Sequence, residues 1–329
     1  MAGQERKKLI LLLLLTVLII VLTSCGTTRT GGKEDTPEQA EEKILVVTSI
    51  FPLADIVQEL GGERVEVVSL LSGGMSPHVY EPTTGDVRQV ANADLVVLVG
   101  EGLDSFAEKL LEGHALIKVL HVTEGIRLQP PAMTILDINH EVNGEREHEE
   151  DSSEHHEHGS FDPHVWLDPV LVRENIAPRI AAQLIELDEH GKSYFENNLK
   201  RFQAELTSLD AEIKQVVDTF SYSKFIVFHS AWHYFALRYN LEDINVEDFP
   251  NQEPSAKDIM KIVKFGRETS AGAIFIEPQF NPKAAKVIAA EYDAEVIILD
   301  PLGNSEIDGR DSYLGLMHWN LEQLMKGLR

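Results

Sequence analysis

The chain has 329 residues and a single cysteine, Cys25, so no internal disulfide can form and the fold must rest on packing. Bases are scarce: 29 Lys and Arg stand against 54 Asp and Glu, a formal net charge of −25. Such a surface makes nucleic acid an unsuitable partner and would be repelled by an anionic bilayer, while it favours cations. Long apolar runs are few. The one at Leu9–Leu22 has fourteen residues, short of the ~20 that span a bilayer comfortably. HExxH, GxSxG and P-loop patterns are absent, which removes the usual signatures of several hydrolase classes.

What the chain does have begins at its start. "MAGQERKK" is a basic n-region, the apolar run follows, and "LTSCG" comes next, so residues 1–24 read as a signal peptide. Leu22-Thr23-Ser24-Cys25 resembles a bacterial lipobox, in which the cysteine is acylated and becomes the first residue of the mature protein. Residues 25–43 are polar, lack large apolar side chains and read as a flexible tether. Removing residues 1–24 takes away Arg6, Lys7, Lys8 and Glu5 and moves the net charge from −25 to −27. Lipid rather than charge would therefore hold the body to a membrane. The expected location is extracytoplasmic, anchored to the cell membrane through Cys25.

The rest of the sequence alternates short β-branched runs with amphipathic stretches. "ILVVTSI" (44–50), "VEVVSLL" (65–71), "LVVLVG" (95–100) and "ALIKVL" (115–120) form one series, with helical stretches 52–60, 84–93 and 103–112 between them. A second series runs through 224–229, 243–248, 271–278 and 295–301, with helices at 231–239, 255–269, 282–292 and 312–327. Continuous apolar strands alternating with helices predict βαβ units and parallel sheets covered on both faces. The fold class is α/β, with two lobes, each a parallel four-stranded sheet flanked by helices. Lobes at 44–190 and 221–329 flank a connection at 191–220, where apolar positions keep helical spacing from Lys192 to Phe220 with no Gly or Pro inside. That predicts one long, rigid helix joining the lobes, with a cleft between them.

Histidines gather where such a cleft should lie. His78 sits in the Gly/Pro-rich "LLSGGMSPHVYEPTTGD" after a strand, His229 ends the strand "KFIVFH", and Asp300 ends "VIILDPLG". Ligands of open parallel sheets collect outside the carboxyl ends of strands. His164 lies in "FDPHVWLDP", which its two prolines stiffen. In this order and spacing, "GGMSPHVYEPTTGD", "FDPHVWLDP", "FHSAWHYFA" and "ILDPLG" resemble the substrate-binding lipoproteins of bacterial ABC importers for zinc and manganese, the cluster A-I group. The resemblance covers roughly residues 44–329. It implies one metal ion in the interlobe cleft, with His78, His164 and His229 as ligands and Asp300 at a fourth position that varies between carboxylate and water in the group. It also implies an ABC permease as partner and a monomeric protein that carries its metal as cargo.

Three imidazoles and one oxygen suit Zn(II) in four-coordinate geometry, whereas manganese prefers more oxygen. Manganese members of the group typically carry glutamate where this chain has His229, and the His-rich insertion again points to zinc. Some zinc members have a disulfide in the second lobe, which this chain lacks. Residues 140–169 hold six of the thirteen histidines. His140, His148, His155, His156 and His158 fall in the stretch 139–160, too polar to bury anything and so expected to be disordered, either an accessory collector of weakly held zinc or a solvated linker. Glu81 and Glu277 either orient histidines from behind or are ordinary polar residues of the cleft. His233 lies four residues beyond His229, but a strand end between them leaves no shared helical face assured, and His114, His121, His190 and His318 belong to no constellation. The function that follows is zinc capture for import, without catalysis. A manganese- or iron-binding member of the group, or an adhesin or structural surface lipoprotein, is the alternative, and a zinc hydrolase is disfavoured. The helical rod predicts small lobe tilts, with most movement in the loops carrying His78 and His164.

Overall fold

The computed structural model describes residues 43–71, 73–132, 134–135, 161–247, 255–269 and 271–329. The signal peptide, the tether with Cys25, and the stretch holding His140, His148, His155, His156 and His158 lie outside the described residues. Strands β1 (Ile44–Thr48), β2 (Val65–Ser69), β3 (Leu95–Leu98) and β4 (Lys118–His121) make one parallel sheet in the order β2-β1-β3-β4. Strands β5 (Lys224–His229), β6 (Glu242–Glu247), β7 (Ala273–Ile276) and β8 (Glu295–Ile298) make a second, ordered β6-β5-β7-β8. In both sheets the chain changes direction of travel beside the first strand, and the loops leaving the strand ends there open a crevice.

Nine α-helices of six residues or more among the described residues cover these sheets: α1 (Phe51–Gly61), α2 (Thr84–Asn92), α3 (Ser105–Leu111), α4 (Ala177–Leu187), α5 (Lys192–Val217), α6 (His233–Arg238), α7 (Ala256–Thr269), α8 (Lys283–Ala290) and α9 (Tyr313–Leu328). Side chains alternate across each sheet. Val46, Leu95 and Val97 enter a large core that also takes Phe195, Phe202, Leu206, Leu209 and Ile213 of α5 and Phe225, Val227 and Phe275 of the other sheet. Val47, Val96 and Leu98 face the opposite way, against Val90, Phe106 and Ala107 of α2 and α3. The C-terminal sheet repeats the arrangement, with Ile226, Phe228, Ile274 and Ile276 turned toward Ile262, Ile288 and their neighbours on α7 and α8. Each lobe thus has a private outer core and a share in a common inner one.

The connecting helix runs 26 residues, ~39 Å at 1.5 Å per residue. It stops at Val217, short of the expected Phe220, because Thr219 turns its N–H (2.9 Å) and its hydroxyl (2.7 Å) back onto the Val216 carbonyl. A π-wound turn at Val172–Ile176 precedes α4. Pro178, at the start of α4, has no N–H to offer the carbonyl one turn back, and the wider winding absorbs that gap. The long helix is not the only seam between lobes. At the start of α9, the Tyr313 N–H donates to Asp55 of α1 at 2.7 Å, and the Tyr313 hydroxyl donates to the Trp166 carbonyl at 2.8 Å. Thr134, in the stretch assigned by sequence to the first lobe, forms a parallel bridge with Asn245 of β6.

Phe202 is fully buried on α5, in the core common to both sheets. Phe202→Ala is expected to lower the unfolding free energy by about 3–5 kcal/mol, read as a shift of the urea midpoint.

Candidate metal centre

His229 is the last residue of β5, aimed by a strand in the middle of its sheet. His78 lies in a single 3-10 turn, Pro77–Val79, reached from β2 through Gly73 and Gly74. Gly74 has φ +84°, a conformation that glycine adopts without strain, and a side chain at Gly73 would collide with Asn304 of the other lobe. His164 opens the 3-10 turn Val165–Leu167. Asp162, fixed two residues before it across Pro163, accepts the His164 backbone N–H at 2.9 Å.

These three segments bring their imidazoles together. Ring centroids are 6.0 Å apart for His78 and His164, 5.0 Å for His78 and His229, and 5.1 Å for His164 and His229. One ring nitrogen from each lies within 4.8 Å of the other two, close enough to share a metal ion. His164 and His229 are 4% and 6% exposed, while His78 is half-buried at the open side. Behind the two buried rings stand two buried carboxylates: Asp162 contacts His164 Nδ1 at 2.7 Å, and Glu277 contacts His229 Nδ1 at 2.7 Å. A carboxylate accepts a hydrogen bond from Nδ1–H and so leaves the Nε2 lone pair facing the cleft, which fixes both tautomer and ring orientation. The Phe280 ring meets His229 edge-on at 5.8 Å.

The segment carrying His164 is held mainly by the C-terminal lobe. Trp166 Nε1 donates to the Pro301 carbonyl at 2.8 Å, the Tyr234 hydroxyl donates to the Asp162 carbonyl at 2.9 Å, and Arg238 grips Asp168 through Nε (3.0 and 2.8 Å) and a second nitrogen at 2.7 Å. His164 and His229 therefore share one rigid frame, and His78 approaches from a separate loop. The family resemblance assigns His164 to the first lobe; the side-chain bonds that hold its flanking residues run to the second, while the Asp162 N–H donates to the Gln129 carbonyl of the first at 2.9 Å.

Asp300, just past the carboxyl end of β8, makes its bonds within its own lobe. Its Oδ1 accepts the N–H groups of Leu302 and Gly303, each at 3.0 Å, and its Oδ2 accepts Arg310 at 2.8 Å. With both oxygens engaged, this buried carboxylate is not among the grouped ligand atoms. It shapes the turn after β8. His233 begins α6 and binds Asp243 at 3.0 Å. That hydrogen bond pushes its pKa up, and its ring is not among the grouped ligand atoms. His114, His121, His190 and His318 do not join the group either. Glu277 proves to be a histidine partner, whereas Glu81 is exposed at the rim. Asp162 was missed by sequence reasoning, although an acid two residues before a histidine, with proline between, is a local pattern that could have found it.

Residues 46–327 match the family described as "Zinc-uptake complex component A periplasmic", ZnuA. The high-affinity zinc uptake system protein ZnuA of Bacillus subtilis (strain 168) is 29% identical over 312 residues, 92% of each chain. A crystal structure of ZnuA is 31% identical and superposes with a TM-score of 0.74 over 88% of this chain and all of that one. A zinc-bound ZnuA structure with residues 138–173 of that protein deleted is also 31% identical, with a TM-score of 0.72, over 87% of this chain and 98% of that one.

Asp300→Asn is expected to leave the zinc isotherm unchanged while lowering stability by about 3 kcal/mol, the scale for removing one charge from a buried pair. Parallel calorimetry and thermal melting separate the two effects; a loss of zinc affinity without destabilisation would return Asp300 to the ligand set.

Proposed function

The chain belongs to the ZnuA family of periplasmic zinc-uptake components, and from that premise we propose that His78, His164 and His229 are the ligands of one tight Zn(II) site whose ion is handed to an ABC permease. The observation that carries this reading is the convergence of three imidazoles from three segments, two of them backed by buried carboxylates. Three nitrogen donors without a carboxylate in the group suit Zn(II) better than Mn(II). At ~2.0–2.1 Å from each nitrogen, a tetrahedral ion needs donors roughly 3.4 Å apart. The side chains need to close by at most about 1.5 Å from their 4.8 Å limit. The fourth position is left to water. Asp162 and Glu277 supply negative charge behind the rings, so the dication meets an environment that already compensates it. The family is a binding component of an uptake system rather than an enzyme class, and nothing in the site calls for turnover.

Capture and release follow from the unequal support of the ligands. His164 and His229 are held by one frame, and the common core with the Asp55–Tyr313 bond resists wide lobe opening. His78 stands on a loop that leaves its sheet through two glycines. Withdrawing that loop removes one ligand, admits water and weakens the site without disturbing either core. This narrows the earlier expectation, which gave movement to the His164 loop as well. The lipobox supports acylation of Cys25 and attachment outside the cytoplasm, with residues 25–43 as tether and the folded body acting as a monomer. The His-rich stretch ends shortly before Asp162, and its histidines act as a collector of weakly held zinc near the tight site.

Replacing His78, His164 or His229 by Ala is expected to weaken zinc binding at least tenfold, ~1.4 kcal/mol, in competition titrations against a chelator of known affinity. A triple variant that still holds one tight zinc per chain would refute the ligand assignment. Deleting residues 141–158 should leave the tight equivalent intact and remove the additional weak ones; calorimetry at high zinc with unaltered stoichiometry would reduce that stretch to a linker.

A further inference from the structure

Beside His78 the cleft opens into a cavity of about 700 Å³, walled by Ser69, Met75, Ser76, Tyr80 and Glu81 of the N-terminal lobe and, from the C-terminal lobe, by Gln279. Gln279 is half-exposed, two residues beyond Glu277 in the turn after β7. Its side-chain amide donates to Glu277 Oε2. The other oxygen of that carboxylate, Oε1, accepts from His229 Nδ1 at 2.7 Å. A two-bond chain therefore runs from the cavity wall to the imidazole at the end of β5.

The two buried imidazole–carboxylate pairs differ in this respect. The Asp162 carboxylate takes its bonds from His164 itself, ring and backbone, through Oδ1, and its Oδ2 is buried with no hydrogen-bond partner among the described residues. Pro163 and the backbone hold it, and it has no handle at the cavity. Glu277 lies 48 residues from His229 in sequence, and its free oxygen is secured by a side chain that lines open space. A carboxylate held at both oxygens cannot rotate, so the donor on Oε2 determines where Oε1 presents itself to the imidazole.

We propose that Gln279 is a positioning residue for the metal site: it locks the Glu277 carboxylate so that His229 presents Nε2 to the ion, and it is the point at which contact from the cavity reaches that ligand. An acceptor group seated in the cavity, such as a peptide carbonyl of the protein that receives the metal, competes for the Gln279 amide. Once the amide is drawn away, Glu277 is free to turn, His229 loses its fixed orientation, and the ion leaves faster. Release then has two handles, the His78 loop on one wall of the cavity and Gln279 on the other. This inference rests on the assignment of the three histidines as the zinc site.

The test uses the full chain, with zinc affinity measured by chelator competition and release followed by stopped flow. Gln279→Met keeps the length of the side chain and deletes its donor, and Gln279→Ala serves as a second variant should Met perturb folding. Each is placed in the unaltered chain, in His229→Ala and in His78→Ala. Loss of Gln279 is expected to weaken zinc binding about tenfold, the lower end for groups that orient a metal ligand, with faster release. The same loss should appear beside His78→Ala and disappear beside His229→Ala, because the effect passes through His229 alone. An equal loss in all three backgrounds, or none in the unaltered chain, overturns the proposal. Absence of tight zinc binding by the unaltered chain would instead overturn the ligand assignment, and is read before any Gln279 variant.

Discussion

Everything about the cleft depends on one core belonging to two sheets. Strand side chains from both lobes meet on the buried face of α5, and α9 closes the same core from the C-terminal side with Tyr313, Met317, Leu321 and Leu324. Lobes with separate cores joined by a flexible strap would bury little on closing and could swing. Here, opening the lobes would expose apolar area at roughly 25 cal/mol per Å², besides bending a continuous helix. The distance between the carboxyl ends of β1–β3 and of β5–β7 is accordingly a fixed property of the fold. A ligand set spread over both can be pre-formed rather than assembled on binding.

Within that frame the site is an exercise in managing buried charge. Neutral imidazoles enter a desolvated cleft at modest cost, but a dication needs compensation. Direct carboxylate ligation would provide it and would also invite oxygen-preferring metals. This protein keeps its carboxylates one bond back: Asp162 and Glu277 touch Nδ1 of their histidines, so the grouped donors facing the cleft are nitrogens and the negative charge stands behind them. Asp300, a carboxylate just past the end of β8, is engaged by Arg310 and two backbone N–H groups. The donor set at the cleft therefore depends as much on which polar groups are occupied elsewhere as on which reach it.

Much of this was legible in the sequence, for reasons that are local. Apolar runs of strand length separated by amphipathic stretches dictate parallel sheets covered on both faces, and all eight strands lie where those runs fall. Helical spacing from Lys192 onward determined the long connection except for its last turn, where the backbone and hydroxyl of Thr219 redirect the chain. His229 at a strand end and His78 in a Gly/Pro turn after a strand could be placed at the cleft, because parallel topology sends all such ends to one side.

Tertiary structure alone decided the partners. Glu277 finds His229 across 48 residues, Trp166 finds Pro301 across 135, and Asp55 finds Tyr313 across 258. No period or local motif records such pairings. Asp300 shows the limit most directly: its place at the end of β8 could be read from the sequence, whereas the bonds it makes to Arg310 and to the N–H groups of Leu302 and Gly303 could not. Sequence places a charged group on an element, but the nearest donors in space determine what that group is free to bind.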